Sequence, residues 1–140
     1  MSSELGAALA QAASALAGTP FRLHGRDAET GVDCVGLVAL ALARCGRSPV
    51  VPEGYAMRAL SFAPVLRFAR RNGFTQLEPA DEARAGDVLL LHPSPTQAHL
   101  AVYLGAGRFV HAHAGLGRVT IESGPPRWPI AARWRWLNES

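Results

Sequence analysis

The sequence predicts an α+β fold, with helices first and antiparallel strands afterwards. Three observations carry this. Apolar residues recur at helical spacing before Asn72-Gly73. After that pair, short β-branched and aromatic runs alternate with turn residues. The composition is globular, with 49% hydrophobic and 18% charged residues. The 140 residues show no linker, internal repeat or low-complexity block, so residues 1–140 read as one domain.

Each element has its own signal. Ser2 or Ser3 can cap a first helix in which Leu5, Ala8, Leu9, Ala12 and Leu16 share a face, and Gly18 and Pro20 stop it. Thr19 to Val32 reads as loop. A second helix starts near Asp33 and runs to Arg44. It is apolar nearly all round, as a buried central helix should be, and Gly46 ends it. Pro49 and Pro52 open an extended stretch. A third helix lies within Met57 to Arg71, with Pro64 near the start of its better-formed half. Strands are expected at Asp87–Leu91, Ala98–Leu104, Arg108–Ala112, Arg118–Ile121 and Ala131–Leu137.

Several classes are disfavoured at once. The longest apolar run, Val35 to Ala43, is far short of the ~18 residues of a membrane span. Two cysteines make no disulfide framework. The net charge is +3, and every one of the 14 basic residues is arginine, a composition that fits a GC-rich genome better than an anionic partner. The first charge is Glu4 and no arginine precedes Arg22, so the positive region of a secretory signal is missing. The expectation is synthesis in the cytoplasm without a signal peptide.

The chemistry centres on Cys34, in the first turn of the buried helix and directly after Asp33. Unpaired N–H groups and the positive end of the helix dipole favour a thiolate there, with a lowered pKa. Cys45 lies about 16 Å further along the same helix, too far for a disulfide, and reads as structural. His99 begins an otherwise apolar strand and suits a general base. His111 and His113 share one face of the next strand. A two-residue turn at Gly105–Gly107 sets His99 and His111 on opposite faces, and a three-residue loop sets them on the same face. Spacing alone leaves open which of the two partners His99. A thiol, a base and a polar residue orienting that base make a nucleophilic constellation.

These residues sit in motifs that resemble the NlpC-type (p-sixty) family of cell-wall cysteine peptidases. Gly18-Thr19-Pro20-Phe21 is similar to the family's Gly-Thr-Pro-Tyr entry. Asp33-Cys34-Val35-Gly36-Leu37 resembles its Asp-Cys-Ser-Gly-Leu nucleophile motif, and Ala85-Gly86-Asp87-Val88 its Pro-Gly-Asp strand entry. His99-Leu100-Ala101-Val102-Tyr103-Leu104-Gly105 is similar to its His-Val-Gly-Ile-Tyr-Leu-Gly strand. Phe109-Val110-His111-Ala112 matches its third-residue motif. The five pieces come in family order and are most similar to the compact type found in phage tails and gene-transfer agents.

The resemblance implies a reduced papain-like fold, with the nucleophile at the start of a buried helix packed on an antiparallel sheet. It implies a peptidoglycan hydrolase, a cysteine endopeptidase that cuts a stem-peptide amide, typically between γ-D-glutamate and diaminopimelate. Cys34 would be the nucleophile, His99 the base and His111 the orienting residue, which selects His111 over His113. Asp33, Phe21 and Val35 are the implied substrate contacts; His24 and Arg26, in the loop before the nucleophile, read either as groove-lining residues or as a solvated loop. Phe21 stands where the family has a tyrosine, and Val35 where it has a serine that holds the substrate's amine; Asp33 remains to pair with that amine. No metal or organic cofactor is implied. The implied partners are the peptidoglycan stem peptide and phage-like tail or baseplate proteins, with no nucleic acid and no membrane. The implied location is a virion or tail, acting on the cell wall in the periplasm.

Other readings compete. A muramoyl-L-alanine amidase of the same superfamily would use the same residues on a different bond. A catalytically silent tail-docking module would keep the fold alone. His111 and His113, with His99 or His92, could ligate a metal, although plain strand alternation accounts for their spacing. Arg133-Trp134-Arg135-Trp136 could be a nucleic-acid stripe, but a final strand with both tryptophans inward explains it better.

Overall fold

The computed structural model describes residues 2–51, 62–94 and 97–137. Three helices, α1 (Ser2–Ser14), α2 (Cys34–Arg44) and α3 (Phe62–Arg71), precede most of the strands. A small hairpin, β1 (Arg26–Asp27) and β2 (Gly31–Val32), leads into α2. The main sheet holds β3 (Phe74–Gln76), β4 (Val88–Ser94), β5 (Gln97–Gly105), β6 (Arg108–His113), β7 (Arg118–Ser123) and β8 (Ile130–Trp136). Its order is β3-β8-β4-β5-β6-β7, antiparallel throughout.

The α+β expectation holds. α2 is the central helix: Val35, Leu37, Val38, Ala41 and Leu42 are fully buried, as an all-round apolar sequence requires. α2 lies against β5 and β6, and α1 covers α2 and β5. The core between them takes Leu9, Ala13 and Leu16 from the α1 region and Leu100, Val102, Val110 and Ala112 from the sheet. A second cluster, Leu89, Leu91, Ala101 and Phe109 with Tyr103 and Trp128, is built from the alternate positions of the same strands.

α1 ends at Ser14, two residues short of the expected Leu16, and the chain turns through Gly18 at φ 92. In α3, Pro64 is the third residue, where a missing N–H leaves no helical bond unmade. The part of this region before α3, Met57 onwards, lies outside the described residues, as does Pro52. Asn72 closes α3: its Nδ2 donates to the Phe68 and Val50 carbonyls and its Oδ1 accepts from the Val50 N–H.

Three short strands have no counterpart in the sequence reading. The span 19–32 is not all loop, because β1 and β2 pair across a turn in which Asp27 Oδ1 accepts the Glu29 and Thr30 N–H groups. β3 pairs with β8 at the sheet edge. Elements of two and three residues are too short to show a period. At the other end, the final strand buries Trp134 and Trp136. Its alternate face sends Arg135 to Asp87, with Nε–Oδ1 at 2.8 Å and Nη2–Oδ2 at 2.9 Å, and Arg133 to the carbonyls of Glu78, Pro79 and Asp81.

Candidate active site

The β1–β2 hairpin packs directly on the first turn of α2, and glycine makes the approach possible. A Cβ on Gly36 would lie 2.0 Å from the Gly25 carbonyl oxygen, so only hydrogen fits there. Asp33 then caps the helix. Its Oδ1 accepts from the Gly36 N–H at 2.8 Å and from Arg26 Nη1 at 3.0 Å, and its Oδ2 accepts from the His24 N–H at 2.9 Å. These bonds fix the first turn of α2 and with it the position of Cys34.

Cys34 lines a pocket together with Asp33, Phe21, Leu23, His99, His111 and Trp128. Its thiol is not depressed as the helix-dipole argument predicts. Burial pushes it up to about 12, and the Asp33 charge adds to the effect. Hydrogen bonds from the Leu100 and Val35 amides and the Arg26 charge act in the opposite direction without prevailing. Leu100 directly follows His99, so the nucleophile candidate is anchored beside the base candidate.

The turn between β5 and β6 settles the face of the histidines. It has two residues, Ala106 and Gly107, which by itself would place His99 and His111 on opposite faces. A register shift after Tyr103 adds one residue to β5 and restores the parity. His99 Nε2 and His111 Nδ1 are 2.9 Å apart. The rings meet edge to face with centroids 5.1 Å apart, and Trp128 stands edge-on to His99 at 5.3 Å. His113 also lines the pocket, with its ring 5.3 Å from His111, but its Nδ1 accepts the Leu116 N–H and holds the β6–β7 turn. Burial foremost, then His111 and His113, pushes His99 down to about 3. His111 is also lowered, by burial, although Glu122 acts the other way. At neutral pH the site therefore holds a thiol and two neutral imidazoles.

Two candidate substrate contacts lie elsewhere. Val35 is fully buried among the core residues of α2, because the second residue of this helix faces inward. His24 is exposed and outside the pocket wall, and what it brings to the site is its backbone N–H to Asp33. Phe21 and Asp33 do line the pocket, but the Asp33 carboxylate already serves three donors. Among the described residues, no group of three or more His, Cys, Asp or Glu is placed to hold a metal ion.

The sequence reading missed Glu122 and Trp128 as site residues. Glu122 Oε2 lies 2.5 Å from His111 Nε2, extending the line of polar groups from His99 through His111 to the protein surface. Hairpin arithmetic could have found it. A four-residue turn after His113 sets His111 against Thr120 and Phe109 against Glu122, so Glu122 is the diagonal neighbour of His111 on the same face. Trp128 comes from the segment before β8 and carries no local signal.

A sequence model of the NlpC/P60 family matches residues 18–128. The chain belongs to the NlpC/P60 family. Its match spans the Cys34, His99 and His111 positions. The structure is similar to the NlpC/p60 domain of the peptidoglycan hydrolase SagA, at 29% identity and TM-score 0.58, covering 84% of this chain and 88% of that one. It is similar to NlpC2 from Trichomonas vaginalis, at 20% identity and TM-score 0.70, covering 94% of this chain and 46% of that one. The chain thus spans less than half of that NlpC2. It is also similar to RipD from Mycobacterium tuberculosis, described as a non-catalytic NlpC/p60 domain protein adapted to peptidoglycan binding, at 20% identity and TM-score 0.60, covering 93% of this chain and 95% of that one. No curated protein matches the chain.

Proposed function

We propose that this NlpC/P60 chain is a cell-wall hydrolase, a cysteine endopeptidase that cuts an amide in the peptidoglycan stem peptide. The observation that carries the reading is the convergence of Cys34 and the hydrogen-bonded His99–His111 pair on one pocket. A docking surface needs no such arrangement.

In this reading the substrate carbonyl carbon sits against the Cys34 sulfur, with His99 beside the thiol. His99 bonds to His111 through Nε2, which leaves Nδ1 for the thiol. The Cys34 proton moves to His99 Nδ1 as the sulfur attacks the carbonyl carbon, and the carbonyl π pair moves to oxygen. The backbone N–H of Cys34, at the helix N-terminus, supports that oxyanion. The oxyanion collapses, the C–N bond breaks, and the amine leaves with the proton from His99. Water, deprotonated by the same nitrogen, attacks the thioester and releases the acid and the Cys34 thiol. Because burial raises the Cys34 thiol, the reading has the proton pass to His99 as the sulfur attacks.

The bond between γ-D-glutamate and diaminopimelate is the preferred target, and the muramoyl–alanine amide is the alternative. Phe21 and the committed carboxylate of Asp33 set the terms of that choice. With its charge shared among Arg26 and two amides, Asp33 holds a free amine less strongly than an unpaired carboxylate would. Delivery by a phage-like tail belongs to the same proposal and rests on the compact order of the motifs.

A second reading, a binding module without turnover, is favoured by one observation: the buried, neutral Cys34 thiol. Digestion of defined muropeptides by the parent and by Cys34→Ala, read by mass spectrometry, separates the two. Cleavage by the parent alone supports the peptidase and locates the bond. A folded, reduced parent that binds muropeptides without cutting them supports the binding module.

A further inference from the structure

We propose that Glu122 is a positioning residue that fixes where the protons sit on both histidines, and so makes His99 Nδ1 the nitrogen able to receive the Cys34 proton. The last step of this inference rests on the peptidase reading above. The proton placement does not, and it can be measured with no substrate present.

The argument is one of donors and acceptors along a line. Three groups are joined by two contacts: Glu122 Oε2 to His111 Nε2 at 2.5 Å, and His111 Nδ1 to His99 Nε2 at 2.9 Å. Each contact needs one proton. A carboxylate can only accept, and the Glu122 carboxyl is held below its usual range, first by the bond to His111, against a desolvation that raises it. His111 Nε2 must therefore carry the proton. A neutral imidazole has one N–H, so His111 Nδ1 is a lone pair and can only accept. His99 Nε2 must then be the donor in the second contact. This leaves His99 Nδ1 as a lone pair, the state a general base requires.

The opposite arrangement fails at its first link. A proton on His111 Nδ1 would set the Nε2 lone pair against the carboxylate at 2.5 Å, with two acceptors facing each other. It would also turn His99 over, placing the proton on Nδ1, where it could not be replaced by the one from Cys34. Protonation of His111 to the imidazolium does the same, because Nδ1–H would then point at His99 Nε2. Burial keeps His111 from charging at neutral pH. The other groups facing this line are His113 on β6, with its ring 5.3 Å from His111, and Arg127 and Trp128 from the segment before β8.

The carboxylate is well placed for this role and poorly placed for a packing one. His111 has a side chain only 5% exposed, whereas that of Glu122 is 41% exposed, so its removal leaves no cavity. What it supplies is a single charged acceptor reaching in from solvent to a buried imidazole. The nucleophile and base set the reaction, and Glu122 decides the direction in which the two rings pass the proton.

The test is 15N NMR of the histidine rings at neutral pH in the parent, Glu122→Leu and Glu122→Gln. The expected parent spectrum shows His111 and His99 both protonated at Nε2. Glu122→Leu loses the exclusive Nε2–H form of His99. Glu122→Gln keeps it, since the amide oxygen still accepts from His111. In muropeptide hydrolysis, kcat falls about 10- to 100-fold in Glu122→Leu with KM nearly unchanged, and Glu122→Gln recovers most of it. His99 protonated at Nδ1 in the parent, or an unchanged His99 tautomer in folded Glu122→Leu, overturns the proposal. The expected tautomers in a parent that hydrolyses no muropeptide support the role of Glu122 in proton placement and remove the peptidase reading instead.

Discussion

Replacing Asp33 by asparagine and by alanine separates two things its carboxylate does. Structurally, it serves the Gly36 N–H, the His24 N–H and Arg26 Nη1. Alanine loses the helix cap, at about 0.5–2 kcal/mol, and the His24 bond, at about 1 kcal/mol. The Arg26 pair adds little, because that guanidinium is 28% exposed and screened, a contribution of about 1 kcal/mol at most. The expected loss is roughly 2–4 kcal/mol for alanine, and about half of that for asparagine, which keeps an acceptor for the cap. Electrostatically, asparagine leaves the burial of Cys34 in place and removes the charge that further raises its thiol, so the pKa falls from about 12. Each unit of fall gives ten times more thiolate. The lower nucleophilicity of a weaker base takes back about 0.4–0.5 log unit, leaving labelling roughly three to four times faster per unit. Urea unfolding followed by circular dichroism reads the first effect. Iodoacetamide labelling of Cys34 across the alkaline range, with Cys45 as internal reference, reads the second. Unchanged or slower Cys34 labelling in folded Asp33→Asn would refute the electrostatic argument. An asparagine variant as unstable as the alanine one would refute the cap argument.

Three other outcomes follow from the same geometry. Arg135→Met leaves the fully buried Asp87 carboxylate without its bidentate partner and should cost about 3–5 kcal/mol in urea unfolding, with Asp87→Asn in the same chain restoring part of it. Gly36→Ala gains about 1 kcal/mol of helix propensity but drives a Cβ to 2.0 Å from the Gly25 oxygen; a net loss of stability is expected by thermal unfolding, and a gain would show that the hairpin is not seated on α2. Because His99 is held neutral by burial, its folded pKa of about 3 lies below its unfolded value near 6.5. The unfolded chain therefore binds more protons between these values, so His99 contributes stability that is fully present above about pH 6.5 and lost as pH falls towards 3. His99→Phe should flatten that part of the stability–pH curve, and an unaltered slope would place the acid sensitivity elsewhere.

Some of this molecule is written locally. The apolar run of α2 makes it the central helix whatever surrounds it, and Cys34 follows from its place after a capping aspartate. The period-two pattern around Trp134 and Trp136 orients the last strand, because alternation leaves only one face for bulky apolar groups. The order of Cys34, His99 and His111 could likewise be read along the chain. The short elements β1, β2 and β3 could not, because two or three residues carry no period.

What tertiary structure alone decided is collective. Whether His99 faces His111 depended on a single extra residue in β5, which reverses the parity that a two-residue turn would impose. The field at a helix N-terminus favours a thiolate, yet burial under the sheet and the neighbouring Asp33 charge outweigh it, since desolvation is summed over everything that covers the sulfur. Val35 and His24 were adjacent to the site in sequence but not in its wall, because helix phase turned one into the core and a left-handed backbone at φ 61 carried the other outward. Glu122, eleven residues beyond His111, reached it only through the register of a hairpin. Sequence period fixes which side of an element a residue occupies. Register and burial, which arise only when elements meet, fix which groups share a proton.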